Sequence, residues 1–177
     1  MKTATLILSA LFILIQSYSQ DSISLKKSDY TVSMHKIILG SMNGYEFEGK
    51  ISKKSTLSIG AGMGIGVLNN NEQIALIPAV SSSYKYYYNI NKRSKQKKDI
   101  ANNCANFLVV GADIYFPKSL GYSNNWMISQ GWGIQRKLFK NAFFNVQIGV
   151  IENIYKNNSI VEIAIDPLLK GLIIFKL

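Results

Sequence analysis

Residues 57–67 read Leu-Ser-Ile-Gly-Ala-Gly-Met-Gly-Ile-Gly-Val; every odd position is apolar and every even one is Ser or Gly. Side chains two apart lie on opposite sides of a helix but on the same face of a strand, so this pattern demands a strand. Its eleven residues match the ~9–11 of a strand crossing a bilayer at a tilt. One face suits lipid. The other, nearly bare of side chains, suits a crowded interior.

The chain of 177 residues opens like a secretory signal. Lys2 supplies the positive start, Leu6 to Ile15 the apolar run, and Ser17 and Ser19 the small residues that a signal peptidase reads. We expect a signal peptide over 1–19, a short leader over 20–29 and one domain over 30–177. No Cys lies at the cleavage site to carry a lipid. Beyond it, no apolar run reaches the ~18–20 residues of a spanning helix. Only helices and closed barrels satisfy every backbone group in hydrocarbon, so a mature chain that enters a membrane must close into a barrel.

The formal charge is +10, and cleavage removes Lys2 and no acid, leaving +9. A basic surface favours anionic partners; export removes nucleic acid from those expected. The lone Cys104 forms no disulfide within the chain and reads as a small, partly buried residue at a strand start.

The rest of the chain alternates between strand-like runs and polar turns, with no helical periodicity. Residues 30–40 and 43–51 are two strands or one bent one. After 55–68, residues 73–90 place Ile74, Leu76, Val80, Tyr84, Tyr86, Tyr88 and Ile90 on one face. Pro78 on that face should mark a bend or bulge. Residues 91–103 form a polar, basic connection. Residues 104–116 turn Leu108, Val110, Ala112 and Ile114 one way and Gly111, Asp113 and Tyr115 the other. Residues 126–138 point Trp126, Ile128, Trp132 and Ile134 outward, and residues 143–155 point Phe144, Val146, Ile148 and Val150 outward. A loop or irregular edge follows, then a last strand at about 167–177. The second faces are rich in Gly, Ser, Asn and Gln with few charges, which fits a narrow barrel interior better than open water.

The expected fold is therefore all-β, a closed antiparallel transmembrane barrel of eight strands. Outer-membrane barrels have an even strand number and both termini in the periplasm. That places the turns at 51–55, 91–103 and 139–142 on the periplasmic side, and those at 69–72 and 117–125 outside. A rival count merges the first two strands and makes 159–165 a strand of its own. The Gly face should leave room for inward groups such as Lys85, Tyr87 or Gln135, giving a filled barrel and not an open channel.

Several motifs occur in order along the mature chain. They are Gln20 after the cleavage site, Tyr86-Tyr87-Tyr88-Asn89-Ile90-Asn91-Lys92-Arg93, Ala101-Asn102-Asn103-Cys104-Ala105-Asn106-Phe107, Trp132-Gly133-Ile134-Gln135-Arg136 and Asp166-Pro167-Leu168-Leu169-Lys170-Gly171. In these the chain resembles the small outer-membrane β-barrel proteins of Bacteroidetes-type bacteria. The resemblance implies a barrel in the outer membrane of a Gram-negative envelope, with membrane lipid and the barrel-assembly machinery as partners. It implies no activity. Such proteins commonly end in an aromatic residue, whereas this chain ends in Phe175-Lys176-Leu177.

Tyr84, Tyr86, Tyr88, Trp126 and Trp132 are candidates for an interface girdle, where an apolar ring carries a polar tip; ordinary cross-strand packing in a soluble sheet is the competing reading. Lys92, Arg93, Lys95, Lys97 and Lys98 are candidates for contact with an anionic surface, against a plain solvated turn. Glu46, Glu48, Asp113 and Glu152 could pair with Lys85, Arg136 or Lys170 across the lumen. His35, with Ser33 or Ser41, is the one arrangement that could serve a lipid hydrolase; we read it instead as a strand-end or lumen His. No cluster has metal-ligand spacing, and no cofactor or catalytic site is expected. The function read from the sequence is a structural or interaction role in the outer membrane. The alternatives are a lipid-modifying enzyme of the same shape, or a soluble secreted barrel that binds an apolar ligand.

Overall fold

The computed structural model describes residues 30–40, 42–68, 73–117, 125–157 and 160–177; the expected signal peptide and leader lie outside these, as does Ser41. Eight strands, β1 (Met34–Gly40), β2 (Met42–Ser52), β3 (Ser55–Leu68), β4 (Gln73–Tyr86), β5 (Asn106–Tyr115), β6 (Asn125–Lys137), β7 (Ala142–Asn157) and β8 (Ile160–Lys176), follow one another in an antiparallel sheet. The sheet closes by pairing β8 with β1. The expected all-β barrel of eight strands is what forms. The first two runs are separate strands, which removes the rival count.

The closure is steeply staggered. Ile37 pairs with Tyr45, and the register continues strand by strand through Ala61, Val80, Ile114, Trp126 and Ile154 to Ile163. Yet on β8 Ile37 meets Phe175. The difference, 175 − 163, is a stagger of twelve residues. Such a stagger accompanies a strand tilt of about 45° and an interior that side chains fill.

The alternation sorts residues as a membrane barrel does. Outward apolar side chains stay exposed, as at Ile59 (61%), Ile74 (76%) and Leu169 (79%). Inward, polar side chains are buried, among them Lys36, Glu48, Thr56, Gln135 and Asn145, each with no exposed surface, beside apolar ones such as Ile38, Phe107 and Phe143. Where inward glycines face each other the two strands nearly touch. A Cβ on Gly62, opposite Gly44, would lie 2.3 Å from the Asn43 carbonyl oxygen, and one on Gly149, opposite Gly131, 2.0 Å from that of Gln130. Higher on β3, Gly64 makes room for the Tyr115 ring, 2.4 Å from where its Cβ would be, and Gly66 for Ile77. These are not the groups expected there. Register sets Lys85 opposite Thr56, below the glycines, and carries Tyr87 lower still.

Several boundaries differ from the sequence reading. Strand β4 ends at Tyr86, and Ile90 leaves the outer face to be buried in a short helix, α1 (Ile90–Lys95). The irregular edge expected before 167 is instead the arm of a long β7–β8 hairpin, continuous in register to Asn157↔Ile160. Pro167 is tolerated inside β8 for a geometric reason. The Leu177 N–H bonds the His35 carbonyl, so odd residues of β8 turn their backbone toward β1. Pairing with β1 covers only Leu172–Lys176, so the missing N–H of Pro167 faces an unpaired edge. Pro78 makes no bulge either: register runs through it without a slip. It lies just past Ala79, the last β4 residue paired with β5, and its carbonyl accepts the Phe116 N–H at 2.9 Å. The slip that does occur is in β2, between Lys50 and Ser52.

The start of β1, the end of β8 and the connections at 53–54, 87–105 and 138–141 all lie at one end, here called the base. This is the grouping of turns that parity predicts.

Candidate functional site

The described polar groups concentrate inside the barrel, toward its base. Lys36 of β1, Glu46 and Glu48 of β2, and Lys85 of β4 point inward because each occupies an inward phase of its strand. The Lys36 Nζ lies 2.5 Å from Glu46 Oε1 and 2.5 Å from Glu48 Oε2; the Lys85 Nζ lies 3.6 Å from each of the same oxygens. Two cations and two carboxylates make a neutral group. Glu48 is its centre: its Oε1 also accepts hydrogen bonds from the Tyr87 hydroxyl at 2.8 Å and the Asn103 Nδ2 at 2.7 Å. Lys85 further sits 5.8 Å from the centroid of the Phe107 ring. Taking four charges out of water is costly unless each is paired and hydrogen-bonded, and here each has a partner.

Below this group the base is sealed. The segment between β4 and β5, read from sequence as a polar connection, folds back as a plug. Tyr87, Ile90, Ala105, Phe107 and Val109 pack together fully or almost fully buried. Asn103 holds the plug to the wall. Its backbone takes a positive φ of 60°, a conformation Asn tolerates better than most residues. Its side chain donates to the Val32 carbonyl and accepts the Val32 N–H, as well as reaching Glu48. Gln135 donates to the Asn102 carbonyl, Asn145 to Gln135, and Gln147 to Asn145, which extends the polar ladder up the opposite wall. Nothing in the periodicity of 91–103 marks a plug; the only signal is the pair Asn102-Asn103 ahead of the buried Cys104.

Cys104 is more buried than expected, packed with Ile38, Phe143, Leu172 and Ile174. Burial first, and the nearby Asp99 second, push its thiol up to about 12. The thiolate is the nucleophile, so maleimide at about pH 8 should leave the folded protein unlabelled and label it once denatured. Rapid labelling of the folded barrel in a mass spectrum would contradict the plug as described.

Above the neutral group, Asp113 of β5 faces Lys170 of β8 at 3.8 Å. A cavity of about 30 Å³ lies between the two charged layers, lined in part by Met42, Ser81, Ser129 and Gln147. That is room for a water or two. Of the predicted lumen partners, Glu46, Glu48, Asp113, Lys85 and Lys170 do meet inside; Lys36 was missed. Glu152 and Arg136 do not join them. Their strand phase turns both outward, and Arg136 instead bonds the Asn106 side chain and the Gln135 carbonyl. Lys36 was legible, because it has the inward phase of Met34 and Ile38, but β1 is too short for its alternation to stand out.

His35 is a strand-end residue, the second of β1, and faces outward, not into the lumen, because it alternates with buried Met34 and Lys36. It bonds the Tyr45 hydroxyl and packs on Phe47 at 4.9 Å between centroids. The Ser33 hydroxyl accepts the Lys50 N–H instead, and Ser41 lies outside the described residues. The five girdle candidates are all exposed on the outside and form two tiers. Tyr84, Tyr86, Tyr88 and Trp132 lie toward the base, where the Trp132 indole donates to the Tyr88 hydroxyl at 2.8 Å. Trp126 lies toward the other end, paired with Ile114 and Ile154. Of the basic run, Lys92, Lys95, Lys97 and Lys98 are exposed, while Arg93 folds onto the Asp99 carbonyl.

Comparison with protein-family models, with curated proteins and with solved structures finds no match to this chain.

Proposed function

We propose that the protein is a small integral outer-membrane β-barrel with a sealed lumen and a structural or interaction role, of the Bacteroidetes type it resembles. One observation carries the reading: the polarity of the barrel is inverted relative to a soluble one. Ile, Leu and Val side chains ring the outside while Lys36, Glu48, Lys85 and Gln135 are buried inside. In water, so wide an apolar exterior would drive association; in hydrocarbon it is the stable arrangement. The cavity among the described residues is lined by Glu46, Lys85, Asp113 and Lys170, unlike the apolar pocket of a soluble lipid carrier. Among the described residues His35 bonds the Tyr45 hydroxyl and the Ser33 hydroxyl accepts the Lys50 N–H.

The protein should resist carbonate extraction from outer membranes and migrate differently on gels with and without boiling. Recovery in the soluble periplasmic fraction would overturn the reading. Planar bilayers should show no steady conductance, because Tyr87, Phe107 and Phe143 close the base and ion pairs cross the lumen above it.

A further inference from the structure

The cations of this chain are not spread evenly. The β2–β3 turn carries Lys54, the β4–β5 segment has five cations from Lys92 to Lys98, the β6–β7 turn is bracketed by Lys137 and Lys140, and β8 ends on Lys176. These nine surround the base on every side. The acid described among them is Asp99, 3.9 Å from Lys137. The charged layers of the lumen are neutral, so the excess positive charge stands on this outer rim.

Two further features of the rim point to a lipid surface and not to a soluble polyanion. First, apolar residues stand exposed between the cations: Phe139 (74%) and Leu138 (46%) lie between Lys137 and Lys140, and Ile51 (61%) precedes Lys53. Both Leu138 and Phe139 donate their N–H to the Ala142 carbonyl, which fixes the turn tip outward. Second, the aromatic tier of Tyr86, Tyr88 and Trp132 lies immediately above. Apolar anchors, amphipathic rings and Lys heads in successive layers match the acyl boundary, the interface and the phosphate plane of a leaflet. A linear polymer would touch one side of the rim, whereas these cations encircle it.

We infer that the base of the barrel is a headgroup-binding collar that gathers anionic phospholipid around itself, the bound group being the lipid phosphate. The inference rests on the membrane reading above. It is tested with the full mature chain refolded into vesicles, using its two tryptophans as reporters. Trp126→Phe leaves Trp132 beside the collar, and Trp132→Phe leaves Trp126 at the far end. Brominated phosphatidylglycerol and brominated phosphatidylcholine are compared as quenchers at equal mole fraction. At Trp132 the anionic lipid should quench several-fold more effectively, and the excess should fall with added salt. It should also fall in Lys95→Gln/Lys137→Gln/Lys140→Gln, with the gel shift on boiling unchanged. Trp126 should show little preference. Equal quenching by the two lipids at Trp132, or the same excess at both tryptophans, overturns the collar and leaves the membrane reading standing. Quenching of neither tryptophan by either lipid overturns the membrane reading and the collar with it.

Discussion

Replacing Glu48 with Leu is expected to cost the barrel about 3–5 kcal/mol, the range for removing one partner of a buried ion pair. Glu48 has no exposed surface and accepts from Lys36, Tyr87 and Asn103, with Lys85 close by. Its loss leaves two buried lysines with one carboxylate, takes the Tyr87 hydroxyl's acceptor away and leaves the Asn103 amide only the Val32 carbonyl. The charge argument makes a sharper second statement. Lys36→Met alone should also be severe, but the double variant Glu48→Leu/Lys36→Met keeps the neutral Glu46–Lys85 pair and should recover the part of the loss that is due to charge, though not the lost Tyr87 acceptor. Urea unfolding of the three variants, followed by tryptophan fluorescence, measures this as shifts in midpoint. An unshifted midpoint for Glu48→Leu, or a double variant no better than the worse single one, would show that the neutral group does not hold the base.

The second large effect is a contrast between two glycines. Gly149→Ala places a methyl 2.0 Å from the Gln130 carbonyl oxygen, which is backbone and cannot rotate away. Relief requires the β6 and β7 strands to separate at a paired position, and the expected cost is about 3 kcal/mol or more. Gly171→Ala adds the same methyl on the outer face of β8, with nothing within 4 Å of it. It should be neutral, or slightly stabilising through reduced freedom of the unfolded chain. The folded fraction of each on unboiled gels, together with its urea midpoint, checks the pair. Equal behaviour of the two variants would mean that the glycine face is not set by close approach.

The barrel was legible because alternation is a local property. In β3, and along most of β6 and β7, residue identity states which face a position occupies; Arg136 and Glu152 are exceptions. Lys170 and Asp113 were legible for the same reason. Pro78 reads as a bend or bulge, and the bulge is removed once register is seen to run through it beside the end of β5. His35 lies at a strand end, as one of its two readings has it; the lumen alternative stayed open because a seven-residue strand offers little alternation to judge by. The plug was hidden because its burial depends on Phe107 and Val109, which belong to the next strand and reach it only once the barrel has closed.

What the sequence determined by itself is therefore the strand pattern, the inside and outside of most strands, and the end at which the turns gather, all consequences of a period of two. Only the tertiary structure decided the stagger of twelve residues, and with it which inward groups meet. Local pattern says that Glu48 and Lys85 face inward, and the closed barrel adds Lys36. The closing of β8 on β1 sets their heights in the lumen, and at buried distances of a few ångströms height alone separates a neutral, satisfied group from stranded charges.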